Sequence, residues 1–204
     1  MDQIRPDEIM PREAYEAERD TVRRRVMVRK ARRRVPLGDH ATLHFETRET
    51  MLYQVHEMLR AEGSWQRPGA VEDELEAYNP LVPNGRSLTA TLMIEYDDPA
   101  ERAARLSELC GIEDHLWLHV GETAPISATF DDAQASDGRI SSVQYVRWDL
   151  GDQSACLLKA EGTVVRIRID HPRYAASVVL SEETRRELAG DLHVLLGIPG
   201  PELP

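Results

Sequence analysis

Cysteine is scarce. Only Cys110 and Cys156 occur in 204 residues, both in or beside apolar stretches, with no Cys-x-x-Cys pair and no four-cysteine cluster. A disulfide framework, a zinc knuckle and a cysteine-ligated iron–sulfur cluster are therefore unsupported, and buried reduced thiols are the expectation. Long apolar runs are missing too. Nothing approaches about 18 consecutive apolar residues, the length that marks a membrane-spanning helix. The N-terminus shows no basic-then-apolar leader pattern, so the cytoplasm is the expected location. Gly-x-x-x-x-Gly-Lys-[Ser/Thr], Gly-x-Gly-x-x-Gly and Gly-x-Ser-x-Gly do not occur. Ordinary ATPase, nucleotide-dehydrogenase and hydrolase readings lose ground accordingly.

What is present is charge, unevenly spread. The chain carries a net −11. Between Arg19 and Arg34 nine basic residues meet one acid, Asp20, a local +8 that leaves −19 for the rest. The reading is a single domain over residues 1–204, with residues 1–37 forming a basic helical arm on an acidic body. Arginines of such an arm can contact phosphate without sequence specificity. No zinc finger, RNA-binding sheet signature or helix-turn-helix accompanies them. Docking on the chain's own carboxylates, or on those of a second copy in a homodimer, is the expectation. Nucleic acid and membrane are not expected partners.

Periodicity supplies the elements. Tyr15, Val22 and Val26 make a sparse apolar stripe on a helix from about Pro11 to Arg33, stopped by Pro36 and Gly38. Ala41–Phe45 alternates as a short strand. Thr47 is placed to cap a helix ending at Gly63, with Met51, Leu52, Val55, Met58 and Leu59 inward. A short helix follows over Ala70–Tyr78. Leu88, Ala90, Leu92 and Ile94 give the clearest strand. Pro99–Cys110 reads as a helix with Leu106, Leu109 and Cys110 inward. Strands are expected near Leu116–Val120, Ile126–Phe130, Val143–Trp148, Ala155–Lys159, Val164–Ile169 and Ser177–Leu180. A last helix after Ser181 offers Leu188, Leu192 and Leu195. Helices gather in the first half and strands in the second, without a strand–helix–strand rhythm. The fold class is therefore α+β: N-terminal helices on a mainly antiparallel sheet that can curl, plus a C-terminal helix. A doubly wound parallel sheet is the alternative.

The stretch ETRETMLYQVHEMLRAEG, Glu46 to Gly63, is dense in chemistry. Glu49, Tyr53, His56 and Arg60 share one helical face. That set suffices for an acid–base site, and it is also what a solvated helix face looks like. His56-Glu57-Met58-Leu59-Arg60 stops short of a zinc-protease motif, and Glu57-x-x-Arg60 is not the Glu-x-x-His of di-iron bundles. His115 and His119 lie about 13 Å apart if they sit on one strand, too far to share an ion. In the string IDHPRY, Asp170, His171 and Tyr174 fall at a strand end, where side chains often converge on a ligand.

Several strings carry a resemblance. RRRVPLGDHATLHFETRETMLYQVHEMLRAEG, ELEAYNPLVPNGRSLTATLMIE, SSVQYVRW and IDHPRY together resemble the bacterial family of unknown function numbered 3501 over nearly the whole chain. The matching positions are Phe45, Glu46, Arg48, Thr50, Gln54, Glu57, Met58, Arg60 and Glu62, then Tyr78, Asn79, Pro80, Glu95, Asp170, His171 and Tyr174. Thr47 stands where that family tends to have Asn, and His56 where it has Gln. The resemblance turns attention to Glu46, Arg48, Gln54, Glu57, Arg60 and His171. It implies an accessory role in redox or peroxide-stress metabolism, beside a rubrerythrin-like or iron–sulfur oxidoreductase partner. The alternative is an acid–base or metal-assisted enzyme acting on a small anionic substrate. There Glu46 or Glu57 is the base, with Gln54 beside them, Arg48 and Arg60 hold the anion, and His171 joins the two glutamates on iron, manganese or zinc. A nucleic-acid-binding regulator is the third reading.

Overall fold

The computed structural model describes residues 3–131, 135–136 and 138–193. The chain opens with a 3-10 turn at Pro6–Glu8 and then α1, Arg12–Arg32. Strands β1 (Arg34–Pro36) and β2 (Ala41–Phe45) form a hairpin. Helix α2 (Arg48–Glu62) starts on the Thr47 cap, whose side chain accepts the Thr50 N–H, and stops at left-handed Gly63 (φ 63°). Helix α3 (Ala70–Tyr78) leads into β3 (Ser87–Ile94) and then α4 (Pro99–Glu108). Strands β4 (Leu116–Val120), β5 (Ile126–Ser127) and β6 (Thr129–Phe130) follow, then the small hairpin β7 (Ala135–Ser136) and β8 (Arg139–Ile140). The chain continues through β9 (Val143–Asp149), α5 (Gly151–Lys159), β10 (Val165–His171), β11 (Tyr174–Val179) and α6 (Glu182–Ala189).

Two antiparallel sheets result, ordered β1-β2-β3-β9-β6 and β11-β10-β4-β5. Leu43, Phe45, Leu92 and Trp148 from the first sheet share one apolar core with Leu118, Ile167 and Ile169 from the second. Leu106 and Leu109 of the α4 segment, Leu158 of α5 and Leu188 of α6 extend that core. The fold is α+β with a C-terminal helix, and neither sheet closes into a barrel. No helix among the described residues is long and apolar enough to cross a membrane.

Period two decides what faces where. In β2, Ala41, Leu43 and Phe45 enter the core, which sends Thr42 and His44 to the opposite face of the five-stranded sheet. Thr91 and Met93 of β3 and Tyr145 of β9 join them there by register. A second apolar cluster, with Met51, Val55 and Leu59 of α2 and Leu75 and Tyr78 of α3, covers part of that face.

Three readings need correction. Ala155–Lys159 is not a strand but the greater part of α5, which buries Ser154, Ala155 and Leu158 at helical spacing. A short, mostly apolar run cannot by itself separate the two. Ile126–Phe130 is two strands, because the chain changes sheets at Ala128: β5 pairs with β4, and β6 pairs with β9. Cys110 is exposed, with its thiol turned to the Gly138 carbonyl, and Cys156 is half-buried. Leu195 lies outside the described residues.

Candidate functional site

The basic helix α1 spends much of its charge within the chain. Arg19 grips Glu57 of α2 through two hydrogen bonds of 2.8 and 2.7 Å, and the Tyr15 hydroxyl donates to the same carboxylate at 2.7 Å. Arg19 and Tyr15 together hold the Glu57 carboxyl down at about 2. Arg25 and Arg29 both reach Glu49. Arg60 pairs with Glu16, and Arg48 with Glu8. His56 stacks on Tyr15, donates from Nδ1 to the Leu52 carbonyl and accepts the Met10 N–H at Nε2. Burial pushes its imidazole below the ordinary value. Arg33, 1% exposed, forms a two-pronged pair with Asp191 at 2.7 and 2.8 Å and also reaches Glu187.

Most of the expected site residues on α2 are therefore held against α1 or the N-terminal turn. Glu57 is ten residues beyond Thr47, about 15 Å along the helix axis from the end that carries Glu46. His171 sits on the other sheet in the β10–β11 hairpin, paired with Tyr174 across a Pro172–Arg173 turn. Its Nε2 faces the Cys110 carbonyl and its Nδ1 accepts the Arg173 N–H. Glu46, Glu57 and His171 thus have separate sets of partners. Among the described residues no group of three or more His, Cys, Asp or Glu side chains is placed to hold a metal ion. IDHPRY forms the β10–β11 hairpin: Asp170 joins His115 and Trp117, and the Tyr174 hydroxyl donates to the Leu37 carbonyl. Gly38 lies beneath that hydroxyl at φ 79°, where a Cβ would come within 2.6 Å of it.

Two expected residues do meet. Glu46 and Gln54 line a pocket of about 350 Å³ between α1, α2 and the outer face of the five-stranded sheet. Lys30 and His44 complete its polar lining with Thr91 and two tyrosines, Tyr78 and Tyr145. Met27, Met51 and Met93 supply flexible apolar walls that adapt to ligand shape. Glu46 is 3% exposed. Its Oε2 accepts the Thr50 hydroxyl at 2.6 Å and its Oε1 the Thr91 hydroxyl at 2.8 Å. No described cation forms an ion pair with it, in contrast to Glu49 and Glu57. The side chains of Lys30, His44 and Gln54 make no hydrogen bond with any described residue. Burial pushes the His44 imidazole below its ordinary value, with Glu46 pulling the other way. Burial raises the Tyr145 phenol well above its usual range, with Tyr78 adding to the effect.

The sequence reading missed His44, Lys30, Thr91 and Tyr145. A signal existed for three of them. Alternation in β2, β3 and β9 places His44, Thr91 and Tyr145 on the face away from the core. Only the tertiary fold shows that α1 and α2 roof that face without filling it.

No curated protein matches the chain. A crystal structure described as a novel protein of unknown function from Burkholderia pseudomallei K96243, at 1.90 Å resolution, is similar to it. The likeness has a TM-score of 0.87 and 39% identity, and covers 94% of this chain and 100% of that one. The sequence profile of the family described as "Protein of unknown function (DUF3501)" matches residues 3–192, and the chain belongs to that family.

Proposed function

We propose that the protein binds a small organic molecule in the methionine- and tyrosine-walled pocket and that Glu46 anchors it, with acid–base chemistry available at the same place. One observation carries this reading: a carboxylate buried to 3% exposure faces a pocket and is satisfied by two threonine hydroxyls and no cation. A carboxylate has about four lone-pair sites, so two remain for donors on a ligand. His44 lies two residues along the same strand face, about 7 Å away. Held neutral by its burial, its imidazole can accept a proton from a group that Glu46 has oriented. Lys30 suits a carboxylate or phosphate elsewhere on the ligand, which keeps a small anionic substrate in play. Arg48 and Arg60 pair with Glu8 and Glu16 and are not part of this pocket's lining. The accessory role beside a redox partner, and the homodimer, rest on the family resemblance and the split charge. Part of that charge is already met inside the chain.

The test is a fragment screen read by 13C-labelled methionine methyls. Saturable shifts confined to Met27, Met51 and Met93, lost in Glu46→Gln, are the expected result. Hits that leave those methyls unmoved and map elsewhere on the protein would sink the reading. The Glu46→Gln change itself should cost less than about 1 kcal/mol of stability, because no buried cation loses a partner.

A further inference from the structure

A second cleft, on the far sheet, holds polar groups that the first pocket does not use. It has a volume of about 680 Å³ and lies between the turn after β4, the α5 helix and the turn that enters β10. Its floor is a cross-strand pair: His119 of β4 is in register with Arg166 of β10. The His119 Nε2 is buried and has no hydrogen-bond partner among the described residues. The half-buried His119 ring lines the cleft. Arg166, Gln153 and Thr163 also line the cleft, and their side chains make no hydrogen bond or ion pair with any described residue.

We propose that this cleft binds a small organic anion of phosphate-monoester type, with Arg166 and His119 on the anionic group and Gln153 and Thr163 on its oxygens or on the attached body. The lining is rich in donors: a guanidinium with five N–H groups, an amide with two, a hydroxyl and an imidazole. Planar, two-pronged recognition is what arginine offers to phosphate or carboxylate. One carboxylate, Glu122, stands on the rim; it is exposed and forms no ion pair with Arg166. The nearby Glu161 is engaged by Arg186. The size argues for more than a bare oxyanion, since ligand clefts for organic molecules run from about 300 to 1,000 Å³. Leu157 and Val164 give the body an apolar wall, and Val164 is 56% exposed in the free protein.

The experiment is a titration of the full chain with ribose 5-phosphate, read at the His119 imidazole by long-range 1H–15N correlation. Inorganic phosphate and ribose are run beside it. The expected result is a saturable His119 shift with Kd at or below about 1 mM, weakened about tenfold or more in Arg166→Gln, with ribose silent. Arg166 is exposed, so this variant keeps its fold, and an unchanged His119 spectrum without ligand checks that it has. An unmoved His119, equal affinity in Arg166→Gln, or ribose binding as well as its phosphate would each overturn the proposal. Inorganic phosphate binding as tightly as the ester would overturn the seat for an organic body. Neither Glu46 nor the methionines take part, so this result is independent of the first pocket's.

Discussion

Two faces of α2 contrast sharply. Along the face that meets α1, Glu49, His56, Glu57 and Arg60 all have named partners within the chain. On the face toward the five-stranded sheet, Gln54 joins Glu46 and His44 in lining a pocket, with two threonine hydroxyls as the partners of Glu46. Charge density alone would select the first face as the site. Partnering reverses the choice, because a saturated ion pair has little left to offer a ligand.

The largest test of this contrast lies at the saturated side. Asp191→Ala leaves Arg33 buried with its main counter-ion gone, so unfolding in urea should show a loss of about 3–5 kcal/mol. Adding Arg33→Met should restore much of it, and a double variant as unstable as the single one would deny that the unpaired charge is the cause. Glu57→Gln comes next. It weakens the Arg19 and Tyr15 contacts and should cost about 1–3 kcal/mol. Its pH dependence has a fixed sign. The folded carboxyl is depressed from 4.5 to about 2, so its contribution is complete above the unfolded value and fades as pH falls through about 2. The Gln variant should lack that acid-side loss in a pH series of melts. The smallest effect belongs to His56→Gln. Unfolded His56 gains a proton near 6.5 while the buried ring resists it, so the unfolded state binds more protons as pH drops below 6.5 and stability falls. The glutamine variant should stay within about 1 kcal/mol at neutral pH and flatten the slope between about pH 7 and 5. An unchanged slope would place that titration elsewhere, with His44 the next group to replace.

Much of the fold was legible because its causes are local. Thr47 sits before an apolar helical stripe and Gly63 after it, and Leu88 to Ile94 alternates without interruption. The Thr47 cap needed no tertiary knowledge. Ala155–Lys159 misled because five apolar-rich residues fit either period. The site was half legible. Glu46 and Gln54 stood out, whereas the Thr91 hydroxyl that holds Glu46 comes from 45 residues away. His56 and Arg60 looked as reactive as Glu46 until α1 was laid across them. Spacing reports which side chains share a face; it says nothing of what another part of the chain brings to occupy them.

Separation along the chain has a further consequence at Arg33. Its carboxylate partners, Glu187 and Asp191, lie 154 and 158 residues downstream. A ribosome adding roughly 5–20 residues per second leaves the guanidinium waiting on the order of ten seconds before either appears. Through that interval α1 has its acidic clasps on α2 but no anchor at its far end. A polypeptide interrupted before residue 187 is expected to stall there, unable to lock its first long helix to its last, and to be recognised by proteases as unfinished.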